Sequence, residues 1–267
     1  MALLNERAAA FRRLHAPGEL LILPNAWDAG SAKVIESCGA AAIATSSAVV
    51  AWALGYPDGN ALPPAMLTRT IEAIARVIDV PLTVDSEAGY SDDPIEAGDN
   101  VAAFASAGAA GINIEDGSDS PDLLCAKIEQ IKKRVPDLFV NARMDVLLRK
   151  LVSREKAIEE IAARAKRYRD AGADGIFVPM IADGDEIRAV VERIDPMPLN
   201  VLAIPSLPPA SELRRLGVRR LSAGAGIGRA VLGLTKELAT RFLREGDSAK
   251  LFESVDPSNF NAMFDGR

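Results

Sequence analysis

The stretch Leu82-Thr83-Val84-Asp85-Ser86-Glu87-Ala88-Gly89-Tyr90 begins as an apolar run of strand type behind Pro81 and ends in carboxylates, glycine and tyrosine. A buried strand that runs out into Asp-x-Glu presents two hard oxygen donors at its mouth, which is the ligand chemistry a divalent cation takes. Side chains alternate along a strand, so Asp85 and Glu87 share a face if the extended conformation continues that far. Solvated acids capping a strand end are the plain alternative, and the decision rests on what the other strands carry at the same level.

Outward from that stretch the chain alternates. Apolar strand segments at 20–23, 41–45, 82–85, 111–116, 138–143, 175–179, 199–204 and 220–222 are each followed by a segment of helical spacing, with a further helix ahead of the first. No linker or low-complexity stretch interrupts the series. Eight strand–helix units in 267 residues favour an α/β fold, a (β/α)8 TIM barrel, over an open doubly wound sheet. Continuously apolar strands are what a parallel sheet buried on both faces requires. The paired phrases Ala107-Gly108-Ala109-Ala110-Gly111-Ile112 and Ala171-Gly172-Ala173-Asp174-Gly175-Ile176 repeat one construction, a glycine ending a helix and a second opening the next strand. The expected division is a barrel over residues 1–234 and a helical tail over 235–267.

Bulk properties narrow the function. A net charge of −6 argues against nucleic acid or an anionic membrane surface as partner. No apolar run approaches the roughly 20 residues of a membrane span, and the leading helix contains Glu6 and lacks a signal-peptide core, so the expected setting is cytoplasmic. Cys38 and Cys125 suggest neither a disulfide framework nor a zinc site. His15, the single histidine, lies in the leading helix, where a surface or structural role is expected.

Barrel chemistry sits at the C-terminal ends of the strands. Those ends carry Asn25, Thr45-Ser46-Ser47, Asp85 with Glu87, Glu115-Asp116, Arg143, Pro179, Ser206 and Ser222, and Asp58 lies in the long loop after the second strand. Acids this close repel one another unless a cation or protons neutralise them, and Mg2+, with Mn2+ as a substitute, suits oxygen donors and retained water. Arg143 has the planar fork for a substrate carboxylate or a developing enolate oxygen. The amides near Ser46, Ser47 and Ala48 are placed to donate to an anion. Each also has a structural reading: a salt bridge for Arg143, N-caps for the serines, a Pro-Asp-Gly turn for Asp58. Asn200, on the seventh strand, is a further expected substrate contact.

The phrases LPNAWDAGSAKVIESCGAAAIATSSAVVAWALGYPDG, PLTVDSEAGYSDD, AGAAGINIEDG, FVNARMDVLL, AGADGIFVP and PLNVLAIPSLPPASELRRLGVRRLSAG, over roughly residues 20–232, resemble the isocitrate lyase/phosphoenolpyruvate mutase superfamily. The resemblance implies a (β/α)8 barrel, Mg2+ and small 2-oxo or 2-hydroxy acid substrates. It implies Asp85 as the direct metal ligand, Glu87, Glu115 and Asp58 as ligands through water, and Arg143 with the Ser46-Ser47 turn as substrate contacts. It also implies a homo-oligomer, dimer or tetramer, in which a C-terminal helix is exchanged. The tail, with Leu238, Phe242, Leu251, Phe252, Phe260 and Phe264, would supply such a surface or pack on its own barrel. Cleaving lyases of that superfamily carry a Lys-Lys-Cys-Gly-His loop after the fourth strand; here the region is Glu115-Asp116-Gly117-Ser118-Asp119-Ser120-Pro121-Asp122. The mutase gating run beyond Asp58 is also missing. Three functions follow in order: a Mg2+-dependent carbon–carbon lyase or decarboxylase passing through an enolate, with Tyr56, Tyr90 or water as proton source; a phosphonopyruvate or phosphoenolpyruvate mutase or hydrolase; and a non-catalytic metal-dependent 2-oxo acid binding protein.

Overall fold

The computed structural model describes residues 2–252 and 259–265. The helix α1 (Ala2–Arg13) leads into β1 (Leu21–Leu23), β2 (Asn25–Ala26), α2 (Ala29–Ser37), β3 (Ile43–Thr45), α3 (Ser47–Ala53) and α4 (Pro64–Val77). Then come β4 (Leu82–Asp85), α5 (Pro94–Ser106), β5 (Ala109–Glu115), α6 (Pro121–Arg134), β6 (Phe139–Arg143) and α7 (Ala157–Asp170). The chain continues through β7 (Gly175–Val178), α8 (Gly184–Ile194), β8 (Leu199–Leu202), α9 (Ala210–Arg215), β9 (Arg220–Ser222) and α10 (Gly226–Glu245).

All pairings are parallel, in the order β1-β9-β8-β7-β6-β5-β4-β3-β2. The two outermost strands of that order are consecutive in the chain and separated only by Pro24. They are halves of one strand, and the sheet is a (β/α)8 barrel. The first strand segment was expected to stop at residue 23; the strand instead continues beyond Pro24, which divides it. Proline has no N–H to give a ladder, but its carbonyl accepts from Ala44 N at 3.0 Å while Leu23 O accepts from Ala223 N at 3.0 Å. One half therefore closes against β9 and the other against β3.

Two apolar layers hold the barrel. Between sheet and helices, Leu67, Ile71 and Ile74 of α4, Val101 and Phe104 of α5, Ile128 and Ile131 of α6 and Ile161 of α7 join one buried cluster. Each such side chain contributes roughly 1.5–3 kcal/mol by leaving water. Inside the barrel, Leu21, Leu23, Ala42, Ala44, Ala110 and Phe139 form a second cluster, completed by Phe11 from α1. A Cβ on Gly111 would lie 2.9 Å from Phe11 Cε1 and 3.0 Å from the Phe139 carbonyl, so glycine there makes the space that Phe11 fills. His15 is structural as expected: its Nδ1 lies 2.9 Å from Phe11 O and its ring stacks on Phe139 at 4.3 Å.

Ahead of α7 lies a 3-10 turn, Arg154–Lys156, to which Ser153 makes no side-chain capping bond. The division placed at residue 234 falls inside α10, which runs unbroken past it because no proline or glycine interrupts 234–245. Ile227, Val231, Leu232, Leu234, Phe242 and Leu243 of α10 are exposed. Beside β1 a groove of about 650 Å3, lined by Leu20, Ile22, Ile35, Ala40 and Ile227 among others, leaves Ile22 60% exposed. In the tail, Phe242, Phe252, Phe260 and Phe264 are exposed, and Phe242 lines one small hollow with Leu238 and Leu251; residues 253–258, 266 and 267 lie outside the described residues. Among the described residues no helix is long and apolar enough to cross a membrane.

Candidate active site at the barrel mouth

A cavity of about 410 Å3 opens at the C-terminal ends of the strands, lined by Ser46, Ser47, Ala48, Asp58, Asp85 and Arg143 among the expected residues. That volume is within the range of small-molecule sites. The remaining lining includes Asn25, Asn113, Ser222, Trp52, Leu148, Phe177, Pro179, Leu202 and Arg229.

Asp85 is the last residue of β4. Its N–H donates to Thr45 Oγ1 at 2.9 Å, and its Oδ2 accepts from Ser47 Oγ at 2.9 Å and Ser47 N at 3.3 Å. The start of α3 thus receives an anion, a favourable placement against the helix dipole, but the anion is the protein's own carboxylate. Ser46 N is used by Ala26 O at 3.2 Å. The expected donation from the Ser46-Ser47 turn is therefore directed largely at Asp85, whose Oδ1 makes no hydrogen bond among the described residues.

Glu87 does not continue the face of Asp85. The strand stops at Asp85, and Glu87 takes a left-handed φ of 46°, followed by Gly89 at 87° and Tyr90 at 58°. Left-handed backbone is costly for a residue with a Cβ and here is held by bonds on every side. Ser86 N donates to Asn113 O at 3.0 Å, Glu115 N to Glu87 O at 2.9 Å, and Asn100 Nδ2 to Gly89 O at 3.1 Å. The Glu87 carboxylate is buried, accepting from Asn60 N and from Tyr90 OH at 3.2 Å. Burial, then Asp58 and Asp85, raise its pKa against the Asn60 bond.

Glu115, the end of β5, faces Arg143 across 2.7 Å, Nη1 to Oε2. Burial pushes its carboxyl up to about 7, with Arg143 opposing and Asp85, Asp145 and Glu87 adding to the rise. Arg143 is also clasped by Asp145, Nε to Oδ1 at 2.7 Å and Nη2 to Oδ2 at 3.2 Å. Burial disfavours its charge, but Glu115, Asp145 and Asp85 outweigh that and hold it firmly protonated. Among the described residues, two of its five N–H groups donate to Asp145 and a third nitrogen is paired with Glu115, which leaves two N–H groups for a ligand. The Arg143 side chain also stands over the Phe177 ring, 5.9 Å from Cζ to centroid.

Asp145 escaped the sequence reading, although its period-two spacing from Arg143 was a usable signal. Asp116 escaped too. Fully buried, it accepts from Asp145 N at 2.9 Å, Arg164 Nη1 at 2.7 Å and Tyr168 OH at 2.7 Å, so it holds the turn that carries Asp145. Neither Tyr56 nor Tyr90 is among the residues lining the cavity. Tyr90 bonds Glu87 and packs edge-on against Phe104, and burial with Glu87 and Asp85 keeps it a neutral phenol. Tyr56 packs against the helical layer. Asn200 also lies off the cavity wall: it is buried, and its Oδ1 accepts from Ser222 Oγ at 3.1 Å. Arg220 lies beneath this floor, donating from Nε to Ser222 Oγ at 3.0 Å and from Nη2 to Asn113 Oδ1 at 3.2 Å. Burial draws its pKa down to about 9, with Asp85 opposing.

Among the described residues, no three carboxylate, histidine or cysteine side chains converge as a ready metal-binding group. Glu115 is turned to Arg143 and Glu87 to Asn60 and Tyr90. On the cavity wall, Asp85 keeps an open oxygen, and the Asp58 carboxylate has no hydrogen bond or ion pair among the described residues.

The family model for phosphoenolpyruvate phosphomutase matches residues 11–243. An uncharacterized protein of Mycobacterium tuberculosis H37Rv, Rv1998c, is 42% identical over 81% of this chain and 82% of its own length. The 2-methylisocitrate lyase of Bacillus subtilis 168 is 28% identical over 97% and 92%. Among solved structures, one from Burkholderia cenocepacia J2315, provisionally described as a phosphonomutase, is 37% identical over 88% of this chain and 99% of that one, with a TM-score of 0.83. A phosphonopyruvate hydrolase solved with oxalate and Mg2+ shares the fold at 24% identity over 97% and 95%, with a TM-score of 0.84. With its barrel and the family match over most of its length, the chain belongs to the phosphoenolpyruvate phosphomutase family, within the isocitrate lyase/phosphoenolpyruvate mutase superfamily.

Proposed function

We propose that the protein is a Mg2+-dependent carbon–carbon lyase acting on a small 2-oxo or 2-hydroxy dicarboxylate. The observation that carries this reading is the open oxygen of Asp85 at the cavity within the same electrostatic cluster as Arg143. The donor chemistry fits a hard cation. Asp58 and Asp85 raise the proton affinity of Glu87, and Asp85, Asp145 and Glu87 that of Glu115, and an ion held directly by Asp85 and through water by Glu87, Glu115 and Asp58 would relieve that repulsion. When bound, Mg2+ supplies Lewis acidity toward a substrate oxygen.

The chain's own groups do the rest. Arg143, fixed by Asp145 and Glu115, donates its two remaining N–H groups to the substrate carboxylate and to the oxygen that gains charge as the bond breaks. Asn113 and Ser222 form a polar floor held by Arg220. With both tyrosines off the cavity wall, water is the proton source in this reading. Decarboxylation of an oxaloacetate-like acid needs the least further machinery. A second reading, phosphorus–carbon chemistry on phosphonopyruvate, is favoured by Asp58 on the cavity wall and by the similarity to the Burkholderia structure. A cytoplasmic homo-oligomer belongs to the same proposal, with the exposed apolar face of α10 covering the groove beside β1 of a second copy.

The test is a Mg2+-supplemented substrate panel with EDTA controls. Pyruvate release from oxaloacetate or 2-methylisocitrate, abolished by Asp85→Ala with the barrel still folded, is the expected result. Phosphate release from phosphonopyruvate would shift the assignment to the second reading. Thermal stabilisation by 2-oxo acids without turnover would indicate a binding protein. Unchanged Mg2+ dependence in Asp85→Ala would sink the site.

A further inference from the structure

The cavity wall carries two unlike sets of side chains. One is charged, Asp85, Asp58 and Arg143. The other is apolar: Trp52 of α3, Leu148 of the turn after β6, Phe177 of β7 and Leu202 of β8. Trp52 and Leu148 line this space while remaining 39% and 43% exposed. Large apolar side chains on a cavity wall are a surface that a ligand's hydrocarbon covers.

Arg229, in the first turn of α10, also lines the cavity. Arg143 is held by Glu115 and Asp145; the guanidinium of Arg229 has no hydrogen bond or ion pair among the described residues. Its backbone N–H bonds Ala225 O at 2.9 Å, and the adjoining Gly228 packs so closely on Val49 of α3 that a Cβ would lie 2.5 Å from it. The base of Arg229 is thus fixed to the barrel although α10 beyond it is exposed. A guanidinium suits a carboxylate in particular, since its planar fork matches two oxygens.

Resting on the site proposed above, we propose that Arg229 is a specificity-determining residue that binds the distal carboxylate of the substrate. The wall of Trp52 and Leu148 receives an alkyl branch on the carbon chain between the two ends. The substrate class is a branched 2-oxo or 2-hydroxy dicarboxylate, its 2-oxygen end at Asp85 and Arg143 and its second carboxylate at Arg229.

Calorimetric titration of the full chain with Mg2+ and three probes tests this: oxalate, which has no distal carboxylate separated by a carbon chain, malate, and 3-methylmalate. Arg229→Met is expected to weaken malate by about tenfold, equivalent to about 1.4 kcal/mol, and to leave oxalate within about twofold. Arg229→Lys should recover part of the loss, and Leu148→Ala should erase a preference of 3-methylmalate over malate. Equal malate affinity in wild type and Arg229→Met, or oxalate binding without malate binding in wild type, overturns the Arg229 assignment and leaves the mouth site standing. Failure of wild type to bind oxalate, or oxalate binding indifferent to Asp85→Ala, overturns the mouth site and this proposal with it. Circular dichroism establishes that each variant is folded.

Discussion

The ammonium of Lys127, on α6, reaches the carbonyl of Ala88 at 2.9 Å, and its side chain is almost wholly buried beneath the loop that follows β4. Burial lowers the lysine pKa, with Asp92 and Asp119 opposing, so the charge is kept there at a cost. What it secures is the left-handed run at Glu87, Gly89 and Tyr90. Lys127→Met keeps the stem and removes the donor. It should cost about 1–3 kcal/mol, the penalty of an unsatisfied buried carbonyl, and should lower turnover by letting Glu87 leave its place beside Asp85. Urea denaturation and steady-state kinetics check the two halves. A variant equally stable and equally active would show that the loop needs no such tie.

Asp116, Arg164 and Tyr168 form a second support. Removing one partner from a buried ion pair strands the other charge, so Asp116→Ala should destabilise the barrel by about 3–5 kcal/mol. Tyr168→Phe should cost about 1–2 kcal/mol through its lost bond. Both should also loosen the turn bearing Asp145, and hence the grip on Arg143. Thermal unfolding orders the two effects; a Tyr168→Phe loss as large as that of Asp116→Ala would contradict the ordering.

How far these supports were readable in the sequence depended on their range. Asp85, Glu115 and Arg143 stood out because each ends an apolar strand, and strand ends in a barrel share one rim. The period-two reading of Glu87 failed because a left-handed residue with a Cβ leaves only an indirect local sign, here the nearby Gly89. Asp116 was visible as a residue but not as a latch, since Arg164 and Tyr168 lie 48 and 52 positions away. The apolar lining of the cavity was hidden for the same reason: Trp52, Leu148, Phe177 and Leu202 come from four separate segments.

His15 offers a pH test with one reporter. Burial, Arg220 and Arg12 pull its pKa down to about 3, against the Phe11 carbonyl and Asp174. The unfolded chain, with an ordinary imidazole near 6.5, then binds the proton more readily than the folded one. This group's contribution is complete above pH 6.5 and is lost as pH falls toward 3, at up to about 1.4 kcal/mol per pH unit. Stability measured from pH 7 to 4 should show that slope, reduced in His15→Phe. The single imidazole resonance should stay in its neutral position over the same range, and titration near 6.5 in the folded protein would refute the assignment.

Assembly is tested on α10. If its exposed face covers the groove beside β1 of another copy, Val231→Glu or Ile22→Glu should shift sedimentation toward the monomer without unfolding the barrel. A monomeric wild type would dismiss the exchange.

The insertion of Phe11 opposite Gly111 has a consequence for where this protein begins as a folding unit. The barrel interior is finished by a side chain that precedes its first strand, so the helix is a stopper and not a leader. A chain started at Glu19 would retain every strand and every rim residue, yet leave a void beneath Arg220, whose Cζ lies 5.9 Å from the Phe11 ring. Water entering there would come from the end of the barrel opposite the cavity. Fusions and truncations at the N-terminus are therefore manipulations of the core, although they would be drawn as changes at the edge.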